Sequence, residues 1–576
     1  MKDFLLSNLE HHPCFSHPKD PHLPLANGDL NELCLKNSKI HISRCPGRLS
    51  FSKHCDYVNN DLLYLAANYE TLVAVQVSIL DPQKSETPNN SSVEPFIEIY
   101  NLNPDFQELT LSRNQALEDI SARKSRLSDK LLSNYKSNWT FYILKILDLL
   151  SKENSDLNLG EIHSLKIAVT SNLPAAAGMS SSHALILASL MSLVRALHSQ
   201  GLLKNIDKTY FKYLLNSGAD SIEAIINTND LLDLLKFCQK IEIAKGFNSG
   251  LGDQAAQILS RKNHLCFIKL FPELSFKYQK IPEDISFMIL PSFIKAEKTS
   301  DEYKLKEKYF DQYQKLNQLT PFFLNNSLDA KHHNGRAAKQ TSSKLRRTND
   351  RSVISSDAIN TEIRVLQEYQ SQNHLGDLLY KLADKEILEK LKKLKEIKNI
   401  YINNSVITND DKKLSNLALY ALAEGARLKD LKQNFCIEKM FEYVNLSHLA
   451  EWVSDSSPHP MIFSADLKLG NTIFAAQESI NMNLKLTNHI GAYKSSTLFN
   501  DSLQNFALSL EGVYACSIMG AGLGGNNIAI VSSEKTDSIK KTLIEDFYSH
   551  YSLAEKAKTA ILVNSSADGL EYLGEF

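Results

Sequence analysis

The sequence predicts a protein of two domains that mixes strands and helices, and three observations carry this. At 576 residues the chain exceeds what one compact core accommodates. The apolar run over 165–170 passes through a loop of small residues into 184–197, which has neither Gly nor Pro. That order reads as strand, loop, helix. Far downstream, residues 512–531 place Gly520, Gly522, Gly524 and Gly525 between two apolar runs, which reads as strand, glycine loop, strand. Those four glycines exceed what a hairpin needs and suggest a backbone passing close to something.

Composition excludes several classes. Hydrophobic content of 43% and charged content of 23% are ordinary globular values, and a formal net charge of -2 argues against a general nucleic-acid binder. No apolar run approaches the roughly 20 residues that span a bilayer. The first ten residues hold too short an apolar core for a signal peptide. Eight scattered cysteines without a Cys-x-x-Cys pair suit reduced thiols. These features predict a cytoplasmic protein with no membrane or nucleic-acid partner.

Along the chain, residues 1–40 read as a flexible flank. Its His11, His12, Cys14, His17 and His22 are too irregularly spaced for a metal site, and a surface tail is the plainer reading. Next, Pro46-Gly47 breaks the chain between two extended pieces, followed by Arg48, Lys53, His54 and Asp56 within nine residues. That cluster is either a solvated turn or a contact surface for a polyhydroxylated or anionic ligand. The apolar run over 62–75 is a strand, and 81–95 is a polar loop. A helix over 138–150 carries Trp139 and Tyr142 one turn apart, either as core or as walls for a flat ring such as adenine. In the small-residue loop, Pro174, Ala175, Ala176, Ala177, Gly178 and Met179 lead into Ser180, Ser181 and Ser182 at the helix start. Two readings stay open there: a phosphate cradle, or serines that cap a buried helix. Glu242 and Asp253 flank a Gly-rich turn that includes Gly250, and Asp253 either caps the next helix or faces a ligand. A strand over 285–290 is followed by 292–303, which ends at Tyr303 and leads into a charged helix. Residues 325–357 are basic and nearly free of aliphatic side chains, which predicts a disordered insertion. Residues 359–450 are mostly amphipathic helix.

Three separated stretches occur in a telling order: Pro46-Gly-Arg-Leu-Ser-Phe-Ser-Lys-His-Cys-Asp-Tyr57, Pro174-Ala-Ala-Ala-Gly-Met-Ser-Ser-Ser182, and Gly520-Ala-Gly-Leu-Gly-Gly525. Together they resemble the galactokinase branch of the GHMP kinase superfamily. Smaller likenesses are Asn138-Trp-Thr-Phe-Tyr142, Cys238-Gln-Lys-Ile-Glu242, Ser249-Gly-Leu-Gly-Asp-Gln254, Ser300-Asp-Glu-Tyr303, Asn445-Leu-Ser-His448 and Ser565-Ser-Ala-Asp-Gly569.

The resemblance implies an α+β fold of two GHMP kinase domains, the first ribosomal-S5-like and the second ferredoxin-like. The flank would be 1–40, the ATP-binding domain 41–290, and the second domain 291–576 with its insertion at about 325–357. It implies a monomer that phosphorylates a sugar at the anomeric hydroxyl with ATP and Mg2+. The 174–182 loop would hold the triphosphate, Ser182 and Glu242 the metal, and Trp139 and Tyr142 the adenine. Asp253 would accept or orient the sugar hydroxyl's proton, with Arg48 holding it ionised. Lys53, His54, Asp56, Gly250 and Tyr303 would surround the sugar.

This chain departs from the family pattern where Ser52-Lys53 replaces Gly-Glu and where His183 replaces a small residue. Lys53 opens an anionic sugar, a sugar phosphate or N-acetylgalactosamine as alternatives to galactose. A sugar- and ATP-binding sensor without catalysis is a further alternative.

Overall fold

The structure is a computed structural model that describes residues 38–52, 61–79, 95–121, 124–174, 178–204, 209–216, 228–247, 249–270, 273–294, 428, 431–433, 435–451, 497–520 and 524–576. The His-rich flank, the 325–357 insertion, Tyr303 and nearly all of 359–434 lie outside these residues. Contacts among the residues divide the chain into one unit of residues up to 49, 64–280 and 564–576, and a second of 50–63 and 281–563.

The first unit is built on a long mixed sheet. The apolar, β-branched run in the middle of the chain forms β7 (Ile162–Ser171), which pairs antiparallel with β2 (Leu62–Ile79) and parallel with β3 (Pro95–Asn101). The order continues outward as β14 (Glu571–Glu575), β1 (Ile40–Ser50), β2, β7, β3 and β4 (Leu109–Ser112). β8 (His264–Lys269) also pairs with β2, and β9 (Ser275–Lys280) pairs with β8. The small two-stranded ladder β5 (Leu117–Ser121) and β6 (Lys124–Leu127) stands apart from this sheet. β2 is buried through most of its length, which is why it reads as a continuous apolar run rather than an alternating one.

Among the described residues, the helices of eight residues or more in this unit are α1 (Phe141–Glu153), α2 (Ser181–Ser199), α3 (Thr209–Asn216), α4 (Thr228–Lys245) and α5 (Gly252–Leu259). α2 is buried on nearly every face from His183 to Val194, the signature of a helix inside a core rather than on it. Its small residues admit close neighbours, and Ser192 Oγ donates to the Val73 carbonyl of β2 at 2.9 Å.

One expectation is overturned here. Pro46-Gly47 does not break the chain, because β1 runs through both residues. Pro46 lies beyond His41, Ile42, Ser43 and Arg44, the residues that pair with β14, so its missing N–H removes no bond from that ladder. Gly47 is present for proximity: a Cβ there would stand 2.3 Å from Leu173 Cδ2 and 3.1 Å from the Met179 carbonyl.

In the second unit the sheet order is β11 (Val513–Ile518), β12 (Asn526–Ser532), β10 (Ile285–Pro291) and β13 (Leu562–Asn564). β12 pairs antiparallel with both neighbours. α6 (Ile437–Glu451) and α7 (Leu498–Leu508) pack on β11, followed in the chain by α8 (Thr536–Thr542) and α9 (Ala554–Ala560). Met288, Leu290, Leu503, Val531 and Tyr548 fill its core, and the Tyr548 hydroxyl donates to the Pro291 carbonyl at 2.8 Å. The five cysteines described, Cys45, Cys238, Cys266, Cys436 and Cys516, are free thiols. Among the described residues no helix is long and apolar enough to cross a membrane.

Candidate active site

Arg48 and Asp253 meet across 205 positions of sequence. Arg48 leaves β1 buried, with its Nε 2.7 Å from Asp253 Oδ1 and its Nη2 2.9 Å from Oδ2. This two-point fork is a geometry a lysine lacks. Its Nη1 donates to the Gly178 carbonyl, and its backbone N–H donates to the Met179 carbonyl at 3.1 Å. One side chain thus joins the strand, the small-residue loop and the acid. Arg48 is therefore not part of a solvated turn. Lys53, His54 and Asp56 lie outside the described residues, as do Ala175, Ala176 and Ala177.

Asp253 stands in the first turn of α5, but its carboxylate caps nothing. Burial alone would raise its pKa. The Arg48 charge and then His183, with hydrogen bonds from Arg48 and Ser180, outweigh that and hold the carboxyl well below the usual carboxylate range. Its side chain keeps about a quarter of its surface open to water, so the ionised oxygens remain reachable.

The serines do not cap α2 either. Ser180 sits at the helix N-cap in the left-handed region, with φ at 57°, and makes no side-chain cap bond. Its hydroxyl donates to Asp253 instead. A non-glycine residue in that conformation costs about 1–2 kcal/mol and persists only where surroundings enforce it. Here Gln257, one turn after Asp253 on α5, donates to the Ser180 carbonyl at 3.0 Å. The first-turn N–H groups of a 19-residue helix are thereby left without a serine cap, the arrangement that suits an anion.

Glu242 projects from α4 with only 1% of its side chain exposed. Neither carboxylate oxygen has a hydrogen-bond partner among the described residues. An unpaired buried acid is costly, and a divalent cation would offset that cost. His183 Nδ1 stands 3.7 Å from Glu242 Oε1, and Ser182, at the start of α2, is the hydroxyl that would join Glu242 in holding Mg2+. Three neighbours register the acid. Burial, then the Glu242 charge, pushes the Tyr142 hydroxyl and the Cys238 thiol up, and burial lowers the Lys245 ammonium while Glu242 partly restores it.

The structure brings Tyr142 to Ser182 and Glu242, and places Trp139 elsewhere. Tyr142 is buried, close enough to Glu242 for that charge to act on its hydroxyl. Lys245 Nζ stands 4.5 Å from its ring centroid. Trp139 precedes α1, is half-buried, donates to the Gln107 carbonyl at 2.9 Å and meets Phe106 edge-on. Gly250 accepts from Gln254 Nε2 at 3.0 Å. In the second unit, Gly520 and Gly524 take positive φ, and Gly522 and Tyr303 lie outside the described residues. The close approach there is internal: Gly525 N donates to the Ile294 carbonyl at 2.8 Å.

Two contributors were missed. Ser249 acts through a bond to His183 and has no sequence signal. Gln257 had one, its four-residue spacing from Asp253 on a helix.

Residues 142–261 match the family model described as the GHMP kinases N terminal domain. Galactokinase of Schizosaccharomyces pombe is 26% identical over 263 residues, 44% of this chain and 42% of that protein. Galactokinase of Dictyostelium discoideum is 25% identical over 271 residues, 46% of this chain and 44% of its own length. The alignments thus span under half the length of these curated relatives. A crystal structure of Lactococcus lactis galactokinase complexed with galactose shares the fold, with a TM-score of 0.50, 16% identity, and coverage of 93% of this chain and 95% of that one.

Proposed function

The chain belongs to the GHMP kinase superfamily, in its galactokinase-like branch, and from that premise we propose that it phosphorylates the anomeric hydroxyl of a monosaccharide with ATP. The observation that supports this most is the Arg48–Asp253 fork beside an uncapped helix start and an unpartnered Glu242.

When bound, ATP supplies the transferring phosphoryl group, and Mg2+ neutralises charge that develops on it. The first turn of α2, with the 174–182 loop, holds the phosphates. Ser182 and Glu242 hold the metal, with Tyr142 seated against both, and Trp139 is assigned to the adenine end. Asp253, kept ionised by Arg48, accepts or orients the sugar hydroxyl's proton. Arg48 stays committed to Asp253 and Gly178, so its part is to hold the base in place and contribute positive charge. Lys53, His54, Asp56, Gly250 and Tyr303 surround the sugar, and the glycine loop at 520–525 completes the second domain. ATP binding is assigned to 41–290 and the partner domain to 291–576, except that β14 (Glu571–Glu575) lies in the first sheet and β10 (Ile285–Pro291) in the second, in a cytoplasmic monomer whose ligands are the sugar and ATP.

Purified full-length protein with Mg-ATP and a panel of free sugars tests this. ADP release with a neutral hexose such as galactose is the expected result. No release with any sugar, together with sugar-dependent thermal stabilisation, would replace the kinase by a binding sensor. Lys53 favours a second reading, an anionic sugar, because an ammonium pairs with a carboxylate or phosphate where the family carries an acid. Lys53→Glu is expected to shift preference toward neutral hexoses, and an unchanged preference removes Lys53 from specificity.

A further inference from the structure

We propose that Ser180 is a positioning residue for Asp253 and not a holder of phosphate: with Gln257 behind it, it fills Oδ2 and leaves Oδ1 as the oxygen that meets the sugar hydroxyl. The inference deepens the kinase reading above and rests on it. An ionised carboxylate only accepts hydrogen bonds, so the bond between Ser180 Oγ and Asp253 Oδ2 uses the one proton of the serine hydroxyl. That proton is then not offered to a phosphate oxygen, and the phosphates are left to backbone N–H groups of the first turn of α2.

Each carboxylate oxygen has room for about two donors. Oδ2 receives both of its donors from separate elements, Arg48 Nη2 from β1 at 2.9 Å and Ser180 from the start of α2. Oδ1 receives one among the described residues, Arg48 Nε at 2.7 Å. The fork fixes the carboxylate against the guanidinium, and Ser180 ties it to a second element, so the acid is held from two sides. The open acceptor position is on Oδ1, in a side chain that keeps about a quarter of its surface exposed.

Ser180 makes this bond from a left-handed conformation, φ 57° and ψ 45°, which a residue other than glycine keeps only where its surroundings enforce it. Three consecutive carbonyls supply the enforcement. Gly178 accepts from Arg48 Nη1, Met179 from the Arg48 backbone N–H at 3.1 Å, and Ser180 from Gln257 Nε2 at 3.0 Å. Gln257 is fully buried on α5, one turn after Asp253. The helix that carries the acid therefore also grips the residue that orients it, by the backbone through Gln257 and by the hydroxyl through Asp253.

The test uses the full-length protein. Ser180→Ala should lower kcat by about 10–100-fold, the worth of one hydrogen bond to a charged group. Binding of a non-hydrolysable ATP analogue with Mg2+, read by calorimetry, should stay as in the parent. Ser180→Gly takes the left-handed conformation without strain, so it should fold at least as stably yet lose kcat alike, which separates lost positioning from lost fold. Gln257→Met, similar in length but without a donor, should lower kcat in the same sense. In an Asp253→Ala background Ser180→Ala should cost no further kcat, because its effect passes through the acid. Weaker analogue binding with unchanged kcat would make Ser180 a phosphate holder and overturn the proposal, as would an equal loss of kcat in the Asp253→Ala background. A urea-unfolding cycle over Ser180→Ala and Asp253→Ala reads the contact without turnover. Turnover in the parent with no coupling in that cycle removes Ser180 and leaves the kinase reading standing. Coupling with no turnover on any sugar removes the kinase reading, and the positioning role with it.

Discussion

Replacing Arg48 with Met keeps the aliphatic stem in β1 and removes the charge from Asp253. The two nitrogen–oxygen contacts of 2.7 and 2.9 Å vanish, along with the bond to Gly178. Breaking a buried ion pair from one side usually costs about 3–5 kcal/mol. Asp253 is about a quarter exposed and keeps its bond to Ser180, which places Arg48→Met at the lower end, about 3 kcal/mol at neutral pH. The pH dependence distinguishes this loss from simple loss of packing. In the parent, the Asp253 pKa lies far below the unfolded value of about 3.9, so its stabilisation is complete above that value and fades only as pH falls through the depressed one. In the variant, burial acts unopposed by Arg48 and raises the pKa, so the folded state takes up a proton before the unfolded chain does. The stability gap should therefore narrow as pH falls from 7 toward 4. Urea unfolding at pH 7, 6, 5 and 4 measures it through the midpoint and slope. A gap constant over that range would refute the electrostatic account of the Arg48–Asp253 pair.

Other expectations follow from the same geometry. Asp253→Asn should still bind an ATP analogue by calorimetry yet lose about 10²–10⁴ in turnover, the usual worth of a general base; near-normal turnover would remove the assignment. Glu242→Leu takes out a buried acid that has no hydrogen-bond partner among the described residues. Without ligand it should unfold at higher temperature, by about 1–3 kcal/mol, while the stabilisation by Mg-ATP disappears; a lower melting temperature without ligand would contradict the unpartnered state. A Cβ at Gly569 would stand 2.4 Å from the Ile258 carbonyl, on the helix that carries Asp253. Gly569→Ala should therefore destabilise by about 1–3 kcal/mol, as overpacking does, and displace Asp253 enough to lower turnover; unchanged stability and turnover would show that the chain end does not support the site.

Much of the architecture was legible locally. The strand over 165–170 and the helix over 184–197 appear as β7 and α2, and the helix after Asp253 as α5, because apolar period and the absence of breakers are properties of neighbouring residues. The strand–loop–strand at 512–531 is likewise β11 and β12. Reading failed at Pro46-Gly47, where breaker residues serve an internal strand. Local rules assign those two types to turns, and the contact that selects Gly47 comes from Leu173 and Met179, more than a hundred residues away. Helical spacing pairs Trp139 with Tyr142, yet Trp139 precedes α1 and its indole turns to Gln107, while Tyr142 is buried within reach of the Glu242 charge. Spacing gives neighbours along a helix and says nothing about a side chain outside it.

By itself, then, the sequence determined the elements, the uncharged small-residue loop, and the chemical types available to a phosphate-handling site: an arginine, two carboxylates and three serines. Those follow from composition and short-range pattern. Only the tertiary structure decided that the serines cap nothing, that Ser180 takes a left-handed turn to reach Asp253, and that Arg48 grips that acid with two nitrogens. It alone brought the buried Glu242 carboxylate to within 3.7 Å of His183 Nδ1. These are long-range contacts whose energies depend on burial and on distances of a few ångströms, and no local pattern in the chain encodes them.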